Sequence, residues 1–263
     1  MLIEPGNMYL APQDHHVMVK DGMLKINQGP HENKYRPSID VLFRSAAVNY
    51  GNRVIGIVLT GMLEDGTSGM WAIKSCGGIC IIQDPVDAEY PDMPQSVVNK
   101  IQVDYTGFLE DIPVIINTII ANPLPPAVPI PPELQVEADI TEQMMTRIDQ
   151  LEKIADHSNF VCPDCGGGLW AIKNDPSKRY RCHTGHVYTE KLLGDIQDAK
   201  IEESIWVCIR MLEEKSNMLS LMEKRSDDKS SRPQYYQNRI SDINTHISRL
   251  KKLLIVLHKN LHE

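Results

Sequence analysis

Apolar positions in the first 120 residues follow two rhythms. MYLAP and HHVMVK, then MLKIN, flank Asp21-Gly22 with alternating apolar residues. This predicts a β-hairpin with a two-residue turn, since Asp and Gly both accept positive φ. SIDVLFRSAAVNY then places Ile39, Leu42, Phe43, Ala46 and Ala47 at helical spacing, with Gly51 as the stop. VIGIVLT is an unbroken apolar run, the pattern of a strand covered on both faces. GTSGMWAIKSCGG reads as a helix, ICIIQDP as a second buried strand and DIPVIINTIIAN as a closing helix. Strand and helix in alternation predict an α/β domain over residues 1–120, a doubly wound and mainly parallel sheet with right-handed crossovers.

The rhythm stops at ANPLPPAVPIPPELQ, where six prolines fall within residues 121–135. Proline lacks the amide that a helix or ladder needs, so residues 121–140 are expected to be an extended, semi-rigid linker and a domain boundary. Residues 141–190 are expected to hold a short amphipathic helix, TEQMMTRIDQLEKIAD, and a cysteine-containing segment. Residues 191–263 read as helical. Tyr236, Ile240, Ile243, Ile247, Leu250, Leu254, Leu257 and Leu261 recur at intervals of 4 and 3, a heptad seam. Ile201, Ile205, Cys208, Leu212, Leu219 and Met222 form a similar stripe before the turn SDDKSSRPQ. An antiparallel helical hairpin that buries its own seam is the simpler expectation, and self-association through these helices the sharper one.

Charge and length narrow the classes. The net charge of −8 divides into −6 for residues 1–120, −5 for 121–160 and +3 for 161–263. The acidic first half offers no clustered cations for phosphate, and the later Lys and Arg alternate with acids, so no nucleic-acid partner is expected. IGIVL and VIINTII fall far short of the roughly 20 apolar residues a bilayer requires. MLIEPGNMYLAP has neither the basic region nor the apolar run of a signal peptide, and a cytoplasmic protein is the expectation. Cys76, Cys80 and Cys208 lie in apolar contexts and are expected to be buried thiols.

The other three cysteines are clustered. Cys162-x2-Cys165 is followed by sixteen residues and then Cys182-x3-His186. Two thiolates three positions apart, closed by a second pair, match the spacing of a zinc ribbon. Gly166, Gly167 and Gly168 supply the backbone freedom of a knuckle. Three Cys and one His leave no open coordination position, so the expected cofactor is one structural zinc. His183 competes with His186 for the fourth place, but a side chain adjacent to Cys182 points the other way.

GMLEDGTSGM, at the end of the first buried strand, admits several readings. Gly61-x4-Gly66-Thr67-Ser68 approaches a phosphate loop, but its lysine is missing and Glu64 and Asp65 would repel phosphate. Ser68 as nucleophile fails the Gly-x-Ser-x-Gly frame because position 70 is Met70. Sites in open α/β sheets lie at the carboxyl ends of strands, where Asp65 can orient a histidine and a nearby amide can hold an oxyanion. The plainest alternative is Asp65 as N-cap of the helix Thr67 to Cys76.

GNMYLAPQDHHV, GPHENKYRPSIDVLFRSAA, VIGIVLTGMLEDGTSGMWAIKSCGG and IIQDPVDAEYPDMPQSVV, in order over about residues 3–118, resemble the catalytic domain of CheB-type chemotaxis protein-glutamate methylesterases. CPDCGGGLW through RCHTGH to ESIWVCIRMLEE resembles a zinc-ribbon extension seen in some members. The resemblance implies cofactor-free hydrolysis of glutamate methyl esters on the cytoplasmic helices of chemoreceptors, sometimes with glutamine deamidation, by a Ser-His-Asp triad. It implies further partners among chemotaxis methyltransferase or kinase pathway proteins. The family's triad aspartate falls on Asp65 and its oxyanion-hole amide on Met62. Its serine turn and Gln-His-Met stretch precede the matched region, and its receiver domain has no counterpart; His15 and His16 match a hairpin position rather than the general base. The expectation is therefore a fragment of a longer reading frame, inactive alone and with an open sheet edge; a non-catalytic zinc-ribbon and coiled-coil interaction protein is the alternative.

Overall fold

A computed structural model describes residues 1–144, 146–225 and 232–260. The chain forms two compact units, Met1–Leu193 and Gly194–Glu263.

The first unit opens with the expected hairpin, β1 (His16–Lys20) against β2 (Met23–Asn27), with Lys20 opposite Met23. Asp21 and Gly22 both take positive φ, at 49° and 74°. Helix α1 (Ile39–Tyr50) follows, closed by Gly51 at φ 53°. Strands β3 (Ile55–Val58), β4 (Ile79–Gln83) and β5 (Tyr105–Gly107) form a parallel sheet in that order. Helices α2 (Thr67–Ser75) and α3 (Asp92–Lys100) make the connections, and α4 (Ile112–Ala121) follows β5. The core packs Ala47, Val58, Met70, Ile73, Cys76, Cys80, Ile82 and Val97 between sheet and helices.

β4 is buried along its length apart from Ile79, as a central strand should be. β3 departs from the expectation of burial on both faces. Gly56 and Val58 are buried, Ile55 and Ile57 are half-buried, and Leu59 just beyond is exposed. The cause is its place at the sheet edge, with β4 on one side and no strand among the described residues on the other. α3 and β5, absent from the sequence expectation, lie in polar sequence with few apolar repeats.

The proline-rich segment also differs from expectation. Residues 123–131 are irregular, but α5 (Pro132–Gln143) begins at the last proline. Proline suits the first turn of a helix, where its missing amide has no partner to lose. α5 is part of the unit: Leu134 joins the α/β core, while Ile140 packs with Leu151, Ile154 and Trp170. The helix expected over residues 141–156 is instead the end of α5, a break, and α6 (Ile148–Ile154). A four-stranded antiparallel sheet follows: β6 (Ala155–Val161), β7 (Gly168–Ile172), β8 (Arg179–Cys182) and β9 (Val187–Thr189), in sequence order.

Helix α7 (Glu190–Arg225) leads into the second unit, which contains α8 (Arg232–Asn260). Glu213 pairs with Lys251, Ser216 with Asn244 and Glu223 with Gln237, so the helices run antiparallel. The α8 seam holds: Ile243, Ile247 and Leu254 are buried, with Tyr236, Ile240 and Leu250 packed against them. On α7 the stripe is Ile205, Ile209, Leu212 and Leu219. Cys208 is exposed, correcting its reading as a buried thiol, and Ile201 and Met222 are about half exposed. The interval pattern places Ile209 inward, and Ser216, 9% exposed, fills the turn between Leu212 and Leu219. Leu261 and residues 226–231 lie outside the described residues; of the stretch 226–234 expected as a turn, residues 232–234 already belong to α8. Among the described residues, no helix is long and apolar enough to cross a membrane.

Candidate functional site

The loop after β3 is fixed by hydrogen bonds from its own neighbours. The Thr60 amide donates to Gln83 Oε1 (2.9 Å), the Gly61 amide to the Tyr90 carbonyl (2.9 Å), and Lys100 pairs with Glu64 (3.0 Å). Met62 is exposed in this loop, with 57% of its surface accessible. Leu63 and Gly66 turn the chain inward with φ of 66° and 91°, delivering Asp65 to a buried position.

Asp65 does cap a helix, but a different helix from the one its sequence position suggests. Its carboxylate accepts the Ser38 hydroxyl at 2.7 Å, the Ile39 amide at 2.7 Å and the Asp40 amide at 3.4 Å, which are the start of α1. The N-cap of α2 is Gly66, which has no side chain to cap it. Asp40 on α1 answers by accepting the Gly69 amide of α2 at 2.6 Å. Two helix N-termini thus face one another, and each carboxylate satisfies the orphan amides of the other helix. Asn33 joins the pair, donating to Asp40 at 2.9 Å and to Asp65 at 3.5 Å. Burial pushes the Asp40 carboxyl up to about 8, with the charge of Asp65 adding to the effect. Asp65 is also raised by burial, against the pull of its donors.

Serine, histidine and aspartate meet here, but not as a triad. The Ser38 hydroxyl donates to Asp65, while His16 Nδ1 accepts the Ser38 amide at 3.2 Å and its Nε2 lies 2.9 Å from the Pro30 carbonyl. That pairing requires a neutral ring protonated on Nε2, and burial lowers the His16 pKa. Ser68 is equally committed: its hydroxyl donates to Asp175 at 2.7 Å. Among the described residues, no histidine hydrogen-bonds to Asp65.

The four metal-ligand candidates do converge. One ligand atom from each of Cys162, Cys165, Cys182 and His186 lies within 4.8 Å of all the others. Cys162 Sγ and Cys182 Sγ lie 3.7 and 3.6 Å from His186 Nδ1, and Cys165 Sγ lies 3.7 Å from Cys182 Sγ. A tetrahedral ion with bonds of about 2.3 Å to sulfur and 2.0–2.1 Å to nitrogen sets its ligands about 3.6–3.8 Å apart, so the quartet fits a metal ion. Gly166 at φ 73° makes the knuckle. Burial opposes the Cys165 thiolate, but donors from Thr184, the Gly167 amide and His186 outweigh it and bring that thiol to about 6. Tyr188 Oη lies 3.1 Å from Cys162 Sγ and donates to Asp164 at 2.8 Å, an outer layer that orients the ligand.

Between these centres lies a feature the sequence reading missed. Arg44, Arg179 and Arg181 are buried with Glu32, Glu137 and Asp175. Arg179 donates to both oxygens of Glu137 (2.9 and 3.0 Å) and to Asp175 (2.6 Å). Arg181 donates to Glu32 (2.6 Å) and to Thr141 (3.1 Å), and Arg44 reaches Glu32 (2.8 Å) and Glu137 (3.2 Å). Burial works against both glutamates, but the arginines outweigh it, holding Glu32 at about 2 and Glu137 lower still. Two signals were available. Arg44 lies on the same helical face as Asp40 and Ala47, and Arg179 and Arg181 alternate along one strand, so both point to one face.

Residues 1–116 match the family model described as CheB methylesterase. A protein-glutamate methylesterase/protein-glutamine glutaminase of Thiobacillus denitrificans is 43% identical over 98 residues, 36% of this chain and 28% of that protein. A Leptospira interrogans protein bearing that designation provisionally is 41% identical over 111 residues, 42% of this chain and 58% of its own length. The crystal structure of the Thermotoga maritima CheB methylesterase catalytic domain is 31% identical, covers 41% of this chain and 59% of that one, and superposes with a TM-score of 0.40. The chain thus spans little more than half of the Leptospira relative and less than a third of the Thiobacillus one. The hairpin, the parallel sheet and the buried Asp65 all lie within residues 1–116, the stretch that matches the CheB methylesterase model.

Proposed function

We propose that residues 1–116 serve the hydrolysis of protein-glutamate methyl esters on chemoreceptor cytoplasmic helices, with Asp65 as the acidic limb of a Ser-His-Asp triad. The observation that carries this reading is a buried carboxylate at the carboxyl end of a parallel strand, within the family match. In that role Asp65 accepts the Nδ1–H of a catalytic histidine, fixes its tautomer and stabilises the imidazolium formed as the serine attacks. The Met62 amide would donate to the tetrahedral oxyanion. Ser38, Ser68 and His16 are already engaged, so the nucleophile and base are supplied by a segment that adds to the open edge of β3. The half-buried Ile57 and exposed Leu59 on that edge support the reading.

Methanol release from methylated receptor membranes tests it. The chain alone should release none; co-expression with a polypeptide carrying the Gly-x-Ser-x-Gly turn and Gln-His-Met stretch should restore release, and Asp65→Asn should abolish it. Release by the chain alone, or full activity of the Asp65→Asn pair, would sink the proposal.

The ion at the cysteine quartet is, in this reading, zinc in a structural role, because three thiolates and an imidazole leave no position for water or substrate. A second reading makes the carboxyl-terminal helices an interaction module. It rests on Trp206, Met211, Met218 and Leu221, each more than half exposed on α7. Sedimentation of the intact chain distinguishes the two: a strict monomer across micromolar concentrations counts against self-association.

A further inference from the structure

We propose that metal binding at Cys162, Cys165, Cys182 and His186 locks the facing N-termini of α1 and α2, so that metal occupancy sets the stability of the Asp65 site as well as that of the ribbon. The inference rests on the zinc reading above and adds a regulatory consequence to the candidate catalytic site.

The connections are short. β8 carries Arg179, Arg181 and the ligand Cys182 within four residues. The residue before Cys182 is Arg181, which donates to Glu32; the residue after His186 is Val187, which exchanges backbone hydrogen bonds with the same loop. The Asn33 amide donates to the Val187 carbonyl at 2.9 Å, and the Val187 amide to the His31 carbonyl at 3.3 Å. Asn33 in turn donates to Asp40 and Asp65. A second route runs from Arg179 to Asp175, which accepts the Ser68 hydroxyl at the start of α2.

The charges make the coupling steep. Glu32, Glu137 and Asp175 balance Arg44, Arg179 and Arg181 at 0–2% side-chain exposure. If the ribbon melts, Glu32 loses Arg181 and Glu137 loses Arg179, so two interior carboxylates are left to share the single Arg44 or must open the core to water. A ribbon of this size depends on its ion for folding, so metal free energy is transmitted to the helices through these pairs. Linkage makes the effect reciprocal: weakening the pairs must weaken the metal.

Hydrogen exchange of the full chain, zinc-loaded and after excess chelator, tests the lock. Chelation should lower amide protection in residues 39–50 and 67–75 at least tenfold, together with residues 155–189. Loss confined to 155–189, with both helices within twofold of the loaded protein, would overturn it, as would a chain that takes up no zinc. Glu32→Gln, which changes no metal ligand, should weaken zinc at least tenfold in competition with a chromophoric chelator, and unchanged affinity would also overturn the proposal. Should that variant not fold, the chelation experiment on the native chain decides alone. Neither readout involves ester hydrolysis, so failure of the lock leaves the methylesterase reading standing, and the reverse also holds.

Discussion

Replacing Asp40 by asparagine should remove much of the pH dependence of stability in the α/β core. In the folded state the Asp40 carboxyl is pushed up from 3.8 to about 8, by burial and then by the charge of Asp65. A carboxyl raised on folding holds its proton in the folded state after the unfolded chain has released it. Its stabilisation is therefore complete below about pH 4, declines as pH rises, and is gone above about pH 8. At about 1.4 kcal/mol per pH unit the full shift from 3.8 to about 8 would be worth on the order of 6 kcal/mol. Asp65 is raised as well, so the two titrate as a pair, and roughly 3 kcal/mol is a fairer expectation for the single substitution. The substituted side chain would keep an oxygen for the Gly69 amide, while its new N–H donor would replace the oxygen that accepts from Asn33 Nδ2, so the Asn33 amide must flip to present its unpartnered Oδ1. Urea unfolding of both proteins from pH 5 to pH 9, saturated with zinc, measures the difference and cancels contributions from the metal ligands. Wild type should lose stability relative to Asp40→Asn as pH rises, and the variant should be the more stable at pH 8. Parallel curves would refute the buried carboxyl pair.

Two other substitutions probe the packing around that pair. Glu137→Gln removes the bidentate partner of Arg179 and should lower stability by about 3–5 kcal/mol in denaturant unfolding; a loss below about 1 kcal/mol would mean the cluster is solvated. Gly69→Ala would place a methyl group 2.5 Å from Phe43 Cβ and 3.1 Å from Asp40 Cα, where α1 and α2 approach closely. Overpacking of about 1–3 kcal/mol should lower the melting temperature by several degrees, and an unchanged melt would contradict the close approach.

What the sequence determined by itself was written in local pattern. Asp21-Gly22 dictated a two-residue turn because both residues accept positive φ, and the spacing from Ile39 to Ala47 dictated α1. Cys162-x2-Cys165 and Cys182-x3-His186 announced a cluster able to hold a metal ion, because such ligands must lie close together in short knuckles. The heptad in α8 held for the same reason, since an interval of 4 and 3 is a property of one helix. Tertiary structure decided what depends on distant partners. The proline count predicted a spacer, yet α5 forms because Pro132 suits a first turn and Leu134 and Ile140 find cores to enter. Asp65 looked like a cap for the helix that follows it, but Gly66 turns it toward α1, 26 residues upstream in sequence at Ile39. The ion pair of Glu32 and Arg181 spans 149 residues, and no local periodicity reports the partner of a buried charge. A charged side chain on an apolar face announces that a partner must exist, because burial without one is prohibitive; only the fold reveals which one.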